Sequence, residues 1–306
     1  MRAVLFFRGT MNTYYTSEEI EKYRQAGKIH AEVREQTAKR ITVGASILET
    51  AVFAENLIRD LGGQPAFPCN LSLNEDAAHY TPGTDDSAVF GEDMVKLDIG
   101  VHVDGYIADA AMTVDLSDHP ELVDASRAAL EGAIGMIHAG IDTREIGAAI
   151  EETIGEFGYR PISNLTGHGL AQYQAHTPPS IPNIHTRTGT VLYEGQVVAI
   201  EPFATEGEGK VRDLARWEIY HVTTENPPLP RIPRARTLLK EMMEYKNLPF
   251  ARRWFSGAKI DLTFRQLTKA GLIKPYPILR EVTGALVSQA EHTVIVTENG
   301  CEVTTA

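Results

Sequence analysis

The sequence predicts a mixed α/β fold built from two related halves. Three observations support this prediction: capped amphipathic helices, apolar runs with strand character, and an internal repeat. Helix starts are indicated at Thr16, Ser46 and Asp142, because each is followed three residues later by a glutamate, as in a capping box. The repeat relates the region after Ser46 to the region after Asp142, so each half is expected to combine helices with a sheet.

The individual elements follow from periodicity and from turn residues. Helices are predicted over 16–41, 46–62, 120–139 and 142–158, and strands over 94–115, 190–200 and 285–297. Asp104-Gly105 inside the first strand run is a strong signal for a two-residue hairpin turn. Prolines between 227 and 233 mark a loop, and helical stretches follow at 234–246 and 263–271. Residues 216–276 are therefore expected to form an inserted, mostly helical subdomain.

The repeat decides the predicted architecture. One constant offset relates four residues of the first half to four of the second. Ser46 corresponds to Asp142, Glu49 to Glu145, Gly62 to Gly158 and Pro65 to Pro161. At a similar offset His79 corresponds to His176, and the segment 93–98 corresponds in pattern to 196–201, each ending in an acid. A run of matches in the same order indicates two α/β halves that each contribute a histidine and a carboxylate to a shared centre.

The composition is that of an acidic globular protein. The 306 residues carry a net charge of −12, which argues against coating DNA or RNA, where phosphate contacts need basic surface. Two cysteines argue against a disulfide framework and for a reducing compartment. No apolar run reaches the ~18 residues of a membrane span, and the apolar start after Met1 is too short for a signal peptide. We therefore predict a soluble, cytoplasmic protein.

Asp98 and Asp109 are predicted to be neighbours across the hairpin. A two-residue turn puts Gly100 opposite Asp109 and Asp98 opposite Ala111, so the two acids lie diagonally on one face. Their strand neighbours are apolar, and adjacent acids in such surroundings repel each other unless a cation lies between them. Taken alone, the pair is equally consistent with an exposed hairpin face.

Three further residues extend this pair to a metal-ligand set. Glu201 ends an apolar strand run, Glu291 lies where a strand enters a β-branched run, and His168 lies between two glycines that leave room around its ring. Each of them alone is more commonly a strand-end acid or a loop histidine. Together, four carboxylates and one imidazole suit two divalent metals, with Mn, Fe or Co favoured over a thiolate-type zinc site.

His79 and His176 are candidates for substrate contacts or for proton transfer. The repeat puts them at equivalent positions of the two halves, so both are expected near the shared centre. The alternative for each is a half-buried histidine with a structural hydrogen bond.

Eight segments, in order from about Tyr15 to the C-terminus, match one known family. They are PAFPCNLSLNEDAAHYTP (65–82), VKLDIGVHVDGYIADAAMTVD (95–115), LTGHGL (165–170), SIPNI (180–184), VVAIEPFAT (197–205), LPFARRW (248–254), PYPIL (275–279) and SQAEHTVIV (288–296). The chain resembles the type 2 methionine aminopeptidases, and is most similar to their archaeal form. The resemblance implies the pita-bread fold, with residues 16–306 as the catalytic domain and 216–276 as the type 2 insert. Residues 1–15 are then an N-terminal extension, and Met11 is an alternative start.

The resemblance also implies roles for individual residues. Five fall on the ligands of two divalent metals (Co, Mn, Fe or Zn): Asp98, Asp109, His168, Glu201 and Glu291. His79 and His176 fall on the two histidines beside the scissile peptide, with Glu201 also serving as general base. Four residues fall on or near walls of the pocket for the methionine side chain: Phe67, Ala175, Ile219 and Tyr276.

The implied activity is removal of the N-terminal methionine from nascent proteins when the second residue is small. The expected partner is the nascent chain, and the ribosome is a further candidate whose contact with the insert the sequence leaves open. No membrane, no specific nucleic acid and a monomeric state are expected. One alternative is an X-Pro dipeptidase or aminopeptidase, although these usually carry a separate N-terminal domain for which the ~90 residues before Asp98 are too few. The other is a non-catalytic, nucleic-acid- or ribosome-binding relative, for which the insert offers Arg231, Arg234, Arg236, Lys240, Arg252, Arg253 and Lys259.

Overall fold

The computed structural model of the chain describes residues 15–306 and, before them, only the backbone of the strand pair β1 (Phe6–Phe7) and β2 (Thr10–Met11). Apart from these strands and Tyr15, the extension predicted for residues 1–15 lies outside the described residues. The helices are α1 (Ser17–Ala38), α2 (Ile47–Asp60), α3 (Pro120–Met136), α4 (Thr143–Glu156), α5 (Pro233–Met243) and α6 (Ile260–Lys269), with a 3-10 turn at Arg252–Trp254. No described helix is long and apolar enough to cross a membrane.

The strands after residue 15 form five sheets. In chain order they are β3 (Gln64–Pro65), β4 (Asn70–Leu73), β5 (Asp76–Ala78), β6 (Met94–Val103), β7 (Tyr106–Asp115), β8 (Arg160–Pro161), β9 (Thr166–Ala171), β10 (Gln174–Pro182), β11 (Val197–Ile200), β12 (Phe203–Thr205), β13 (Val211–Asp213), β14 (Ile219–Val222), β15 (Phe250–Ala251), β16 (Ile273–Tyr276), β17 (Leu279–Glu281), β18 (Val287–Gln289), β19 (His292–Thr297) and β20 (Gly300–Val303).

Each half packs two helices on its own sheet. In the first half, α1 and α2 cover the sheet in which β6 pairs with β7, β4 and β3, and the core includes Val33, Ile58 and Leu97. In the second half, α3 and α4 cover the five-stranded sheet of order β10-β9-β11-β19-β20, with Ile150 and Val198 in the core. The sheet β18-β12-β8 completes the second half, and the sheet β13-β17-β5 connects the halves because β5 belongs to the first.

The structure confirms the internal repeat. Thr16 and Asp142 form complete capping boxes, and the Ser46 hydroxyl accepts a hydrogen bond from the backbone N–H of Glu49. Ser46 forms an isolated bridge with Val89, as Asp142 does with Val191. After each of the two helices, a glycine with positive φ leads into a two-residue strand that ends in proline, at Gly62 with β3 and at Gly158 with β8.

Some elements differ from the sequence expectation. The strand expected over 190–200 is confined to Val197–Ile200, because Gly195 with φ 81° makes a turn just before it. The run expected over 285–297 is divided into β18 and β19, with Glu291 in the break. The helices end one to several residues earlier than expected; α3, for example, stops at Met136 because Ile137 is extended.

Residues 216–276 contain the two expected helices and also a sheet of order β15-β14-β16, which the sequence pattern does not indicate. Their strands have only two to four residues, too few for an alternating pattern to be recognised. Helices α5 and α6 pack on this sheet around their own core, which includes Leu239, Phe250 and Phe264.

A buried ion pair joins this insert to the first half. Glu55 of α2 pairs with Arg253, and both side chains are 4% exposed. Glu55 also accepts hydrogen bonds from the Cys69 backbone N–H and the Trp254 ring nitrogen, at 3.1 and 2.7 Å. Arg253 donates to the Thr81 hydroxyl at 2.8 Å, so this basic residue of the insert is not surface charge.

Replacing Arg253 by methionine is expected to destabilise the fold by about 3–5 kcal/mol, because Glu55 would remain buried without its counter-charge. Urea unfolding monitored by circular dichroism measures this loss. The control is Lys39→Met, which breaks the exposed pair between Lys39 and Glu35 and should leave the unfolding midpoint almost unchanged. A loss of less than about 1 kcal/mol for Arg253→Met would mean that water solvates Glu55 in the variant.

Candidate metal centre

The hairpin of β6 and β7 has the predicted register. Its turn residues Asp104 and Gly105 have φ 51° and 87°, as a two-residue type I′ turn requires. Gly100 pairs with Asp109, and Asp98 pairs with Ala111. The two acids are therefore diagonal neighbours on one face of the first half.

The second half brings the other three residues to the same place. His168 lies on β9 opposite Ala199 of β11, and Glu201 directly follows that strand. Glu291 lies in the break between β18 and β19, where its backbone N–H donates to the carbonyl of Ala111 at 2.9 Å. This hydrogen bond ties the break to the hairpin that carries Asp98 and Asp109.

The five side chains form one cluster. Ligand atoms of Asp109, His168 and Glu291 lie within 4.8 Å of one another. His168 Nε2 is 3.6 Å from an oxygen of Glu201 and 3.9 Å from an oxygen of Asp109. Asp98 lines the same cavity as the other four. The structure therefore brings together all five residues that the sequence indicates.

The electrostatics of the cluster are unfavourable without a cation. Burial raises the pKa of all four carboxyls, that of Asp98 to about 7, and their mutual proximity adds to the shift for Asp109, Glu201 and Glu291. Among residues 15–306, no lysine or arginine forms an ion pair with any of them. One buried oxygen of Asp98 has no hydrogen-bond partner in this part of the chain. Buried charges need such compensation, so the residues present fit a divalent metal.

His168 has the protonation state that a metal ligand needs. Burial lowers its pKa to about 4, so the ring is neutral at pH 7. Its Nδ1 lies 3.3 Å from the carbonyl oxygen of Gly169, which can only accept, so Nδ1 carries the hydrogen. Nε2 therefore presents its lone pair to the carboxylates, and a cation between these donors relieves their repulsion.

A cavity of about 240 Å³ opens next to the cluster. The cavity is lined by the five clustered residues and by His79, His176, Phe67, Ile219 and Tyr276. The His176 ring contacts that of His168, with centroids 4.5 Å apart, and the His79 ring contacts Tyr276 at 5.6 Å. Ala175 does not line the cavity; it is buried in the cluster of apolar residues that contains Phe67 and Leu248.

Sequence reasoning missed other residues of the cavity wall. They are Asn70, Ala78, Asn164, Leu165, Thr166, Phe203, Pro249 and Leu279. Asn70 could have been found from the register, because it lies on β4 directly opposite Asp98. Pro249 lies in the insert, and no local pattern indicates that this proline reaches the cavity.

The site and the fold together identify a metallopeptidase. Residues 21–298 match the model of metallopeptidase family M24, and the chain belongs to that family. Membership implies that the protein uses divalent metal ions.

Individual relatives are similar over almost the full chain. The methionine aminopeptidase of Archaeoglobus fulgidus is 52% identical over 287 residues, which cover 93% of this chain and 98% of that protein. That of Methanocaldococcus jannaschii is 49% identical, covering 94% and 99%. The crystal structure of methionine aminopeptidase from Thermotoga maritima is similar with a TM-score of 0.72 at 27% identity, covering 96% of this chain and 99% of that one.

Gly100 sets the space for one wall of the cavity. A Cβ atom at this position would lie 2.3 Å from a ring carbon of Phe67, so Gly100→Ala must displace that ring. We expect a loss of about 1–3 kcal/mol in the free energy of unfolding, measured in urea. Gly132→Ala in α3 is the control, because its Cβ would meet only Thr153 Oγ1 at 3.9 Å, and it should stabilise by up to about 1 kcal/mol. Equal stability of the two variants would contradict the close packing of Phe67.

Proposed function

We propose that the chain removes the N-terminal methionine from nascent polypeptides when the next residue is small, and that it uses two divalent metal ions. The observation that most directly supports this proposal is the buried cluster of four carboxylates and one neutral histidine next to a cavity with apolar walls. The similarity to methionine aminopeptidases supports the substrate. We further propose the type 2 form, with residues 216–276 as its insert, and the cytoplasm as its location.

Five residues would together hold the two metal ions: Asp98, Asp109, His168, Glu201 and Glu291. When bound, the ions supply Lewis acidity for the attack of water on the scissile carbonyl. Mn, Fe and Co suit the oxygen-rich set, and zinc remains a candidate.

Glu201 would act as the general base. Its side chain is 15% exposed and faces the cavity, so it can reach a water molecule that approaches the cluster. It would take a proton from that water and pass it to the leaving amine.

His79 would accept a hydrogen bond from the scissile amide. Its Nδ1 lies 3.1 Å from the carbonyl oxygen of Pro277, which only accepts, so Nδ1 carries the hydrogen. Burial lowers the pKa of His79, so the ring stays neutral and Nε2 has a free lone pair. A peptide N–H is the donor of the substrate that this lone pair suits.

His176 would donate to the oxygen of the scissile carbonyl, where negative charge develops during attack. Its side chain lines the cavity and its ring contacts that of His168, so it lies beside the carboxylate cluster. The methionine side chain would lie against Phe67, Tyr276 and Ile219, since a thioether packs well on aromatic rings. Ala175 would act indirectly, through its packing in the cluster of Phe67.

The proposed activity is tested with the metal-free protein. We expect release of methionine from a Met-Ala-Ser peptide only after Mn, Co, Fe or Zn is added, and no cleavage of an X-Pro dipeptide. Asp109→Asn should abolish both activity and metal binding, because it removes one of the negative charges that would hold the ions. Cleavage of the X-Pro substrate would favour the related dipeptidases, and cleavage of neither substrate despite bound metal would favour a binding protein.

Replacing His79 by alanine separates its role from that of the ligands. We expect kcat to fall about 10²-fold, because a hydrogen bond made to the reacting amide is lost. Metal content, measured by elemental analysis, should equal that of the unmodified protein because His79 is not a ligand. A parallel loss of metal would contradict the assigned role.

A further inference from the structure

Asn70 is an amide side chain in the cavity wall with half of its hydrogen-bonding capacity unused. It lies on β4 in register with Asp98, so the two side chains share one face of the sheet. Its Nδ2 donates to an oxygen of Asp98 at 3.3 Å. Its Oδ1 is buried and has no hydrogen-bond partner among residues 15–306. The side chain is 3% exposed.

The orientation of the amide follows from the chemistry of Asp98. An ionised carboxylate only accepts hydrogen bonds, so the NH₂ group of Asn70 must face it and Oδ1 must face elsewhere. A buried acceptor without a donor costs stability, which makes it a candidate for a ligand group. Asn164, the other amide in the cavity wall, has no such atom, because both its amide atoms are bonded to the backbone of Val211 at 2.8 and 2.9 Å.

The substrate has few hydrogen-bond donors that could bind to Asn70 Oδ1. Under the proposed function, the scissile N–H is bound by His79, the carbonyl oxygen only accepts, and the thioether lies on the apolar wall. The remaining donor is the free α-amino group, which distinguishes the end of a chain from an internal peptide.

We propose that Asn70 recognises the free α-amino group of the substrate through Oδ1 while its Nδ2 orients Asp98. A hydrogen bond from an ammonium group is charge-assisted and directional. Asn70 would thus be a specificity-determining residue that couples the amino group to one metal ligand. This inference rests on the proposed function, because only an aminopeptidase substrate presents that group.

Two ligands that are not turned over test the proposal. L-Methionine and 4-(methylthio)butanoate differ only in the amino group, and calorimetry with the Mn²⁺-saturated protein measures how strongly each binds. The unmodified protein should prefer methionine. Asn70→Leu should reduce this preference about tenfold, since a hydrogen bond to a charged group is lost.

Gln289 provides a matched control. Its amide Nε2 lies 3.4 Å from an oxygen of Glu291, and its Oε1 is also without a partner in the described chain, but it does not line the cavity. Gln289→Leu and Asn70→Leu should both weaken Mn²⁺ binding to the metal-free protein about tenfold, because each removes an amide beside a ligand. Only Asn70→Leu should change the preference for the amino group.

The results that would overturn the assignment of Asn70 differ from those that would count against the proposed function. An unchanged preference in Asn70→Leu, with or without weaker Mn²⁺ binding, would overturn the assignment, as would a wild-type protein that binds both ligands equally. Failure to release methionine from Met-Ala-Ser would instead count against the proposed function. If Asn70→Leu does not fold, as judged by circular dichroism, Asn70→Ala carries the same expectation.

Discussion

The repulsion among four carboxylates, two of them buried and two partly exposed, is the constraint on which the rest of the structure depends. Asp109 and Glu291 are 4% and 2% exposed, and the described chain supplies no lysine or arginine to neutralise the cluster. A bound cation is the remaining source of compensating charge. Because the carboxylates repel one another, the surrounding helices and strands must hold them together. The most regular parts of the fold therefore carry these side chains, namely the hairpin β6–β7 and the central strands β9 and β11.

The two halves deliver complementary parts of the site. The hairpin of the first half carries Asp98 and Asp109, and the strands of the second half carry His168, Glu201 and Glu291. Neither half alone carries all five of these side chains. Several hydrogen bonds join β7 directly to the second half. The backbone N–H of Glu291 donates to Ala111, and the hydroxyls of Thr293 and Thr113 bond to the backbone of Asp109 and Gln289.

The sequence was sufficient to predict that these five residues lie together, and it predicted many of the surrounding helices and strands. A two-residue turn and a period of two fully determine which residues pair in a hairpin, so Asp98 and Asp109 could be placed without a structure. The capping boxes and the repeat located the helices. The sheet of the insert and the position of Asn70 in the cavity wall were not predicted, because both depend on contacts between segments far apart in the chain. Ala175 was expected in the cavity wall, but it does not line the cavity and is buried in the apolar cluster that contains Phe67.

The insert contributes to the site through several contacts, more than its position in the chain suggests. Ile219, Pro249 and Tyr276 line the cavity, the Pro277 carbonyl at its border sets the tautomer of His79, and Arg253 is paired with Glu55. Local unfolding of such a unit on heating would expose the cavity and free the ring of His79 while the two halves were still folded. Thermal inactivation would then precede the loss of global structure, and its temperature would be set by the small core of the insert.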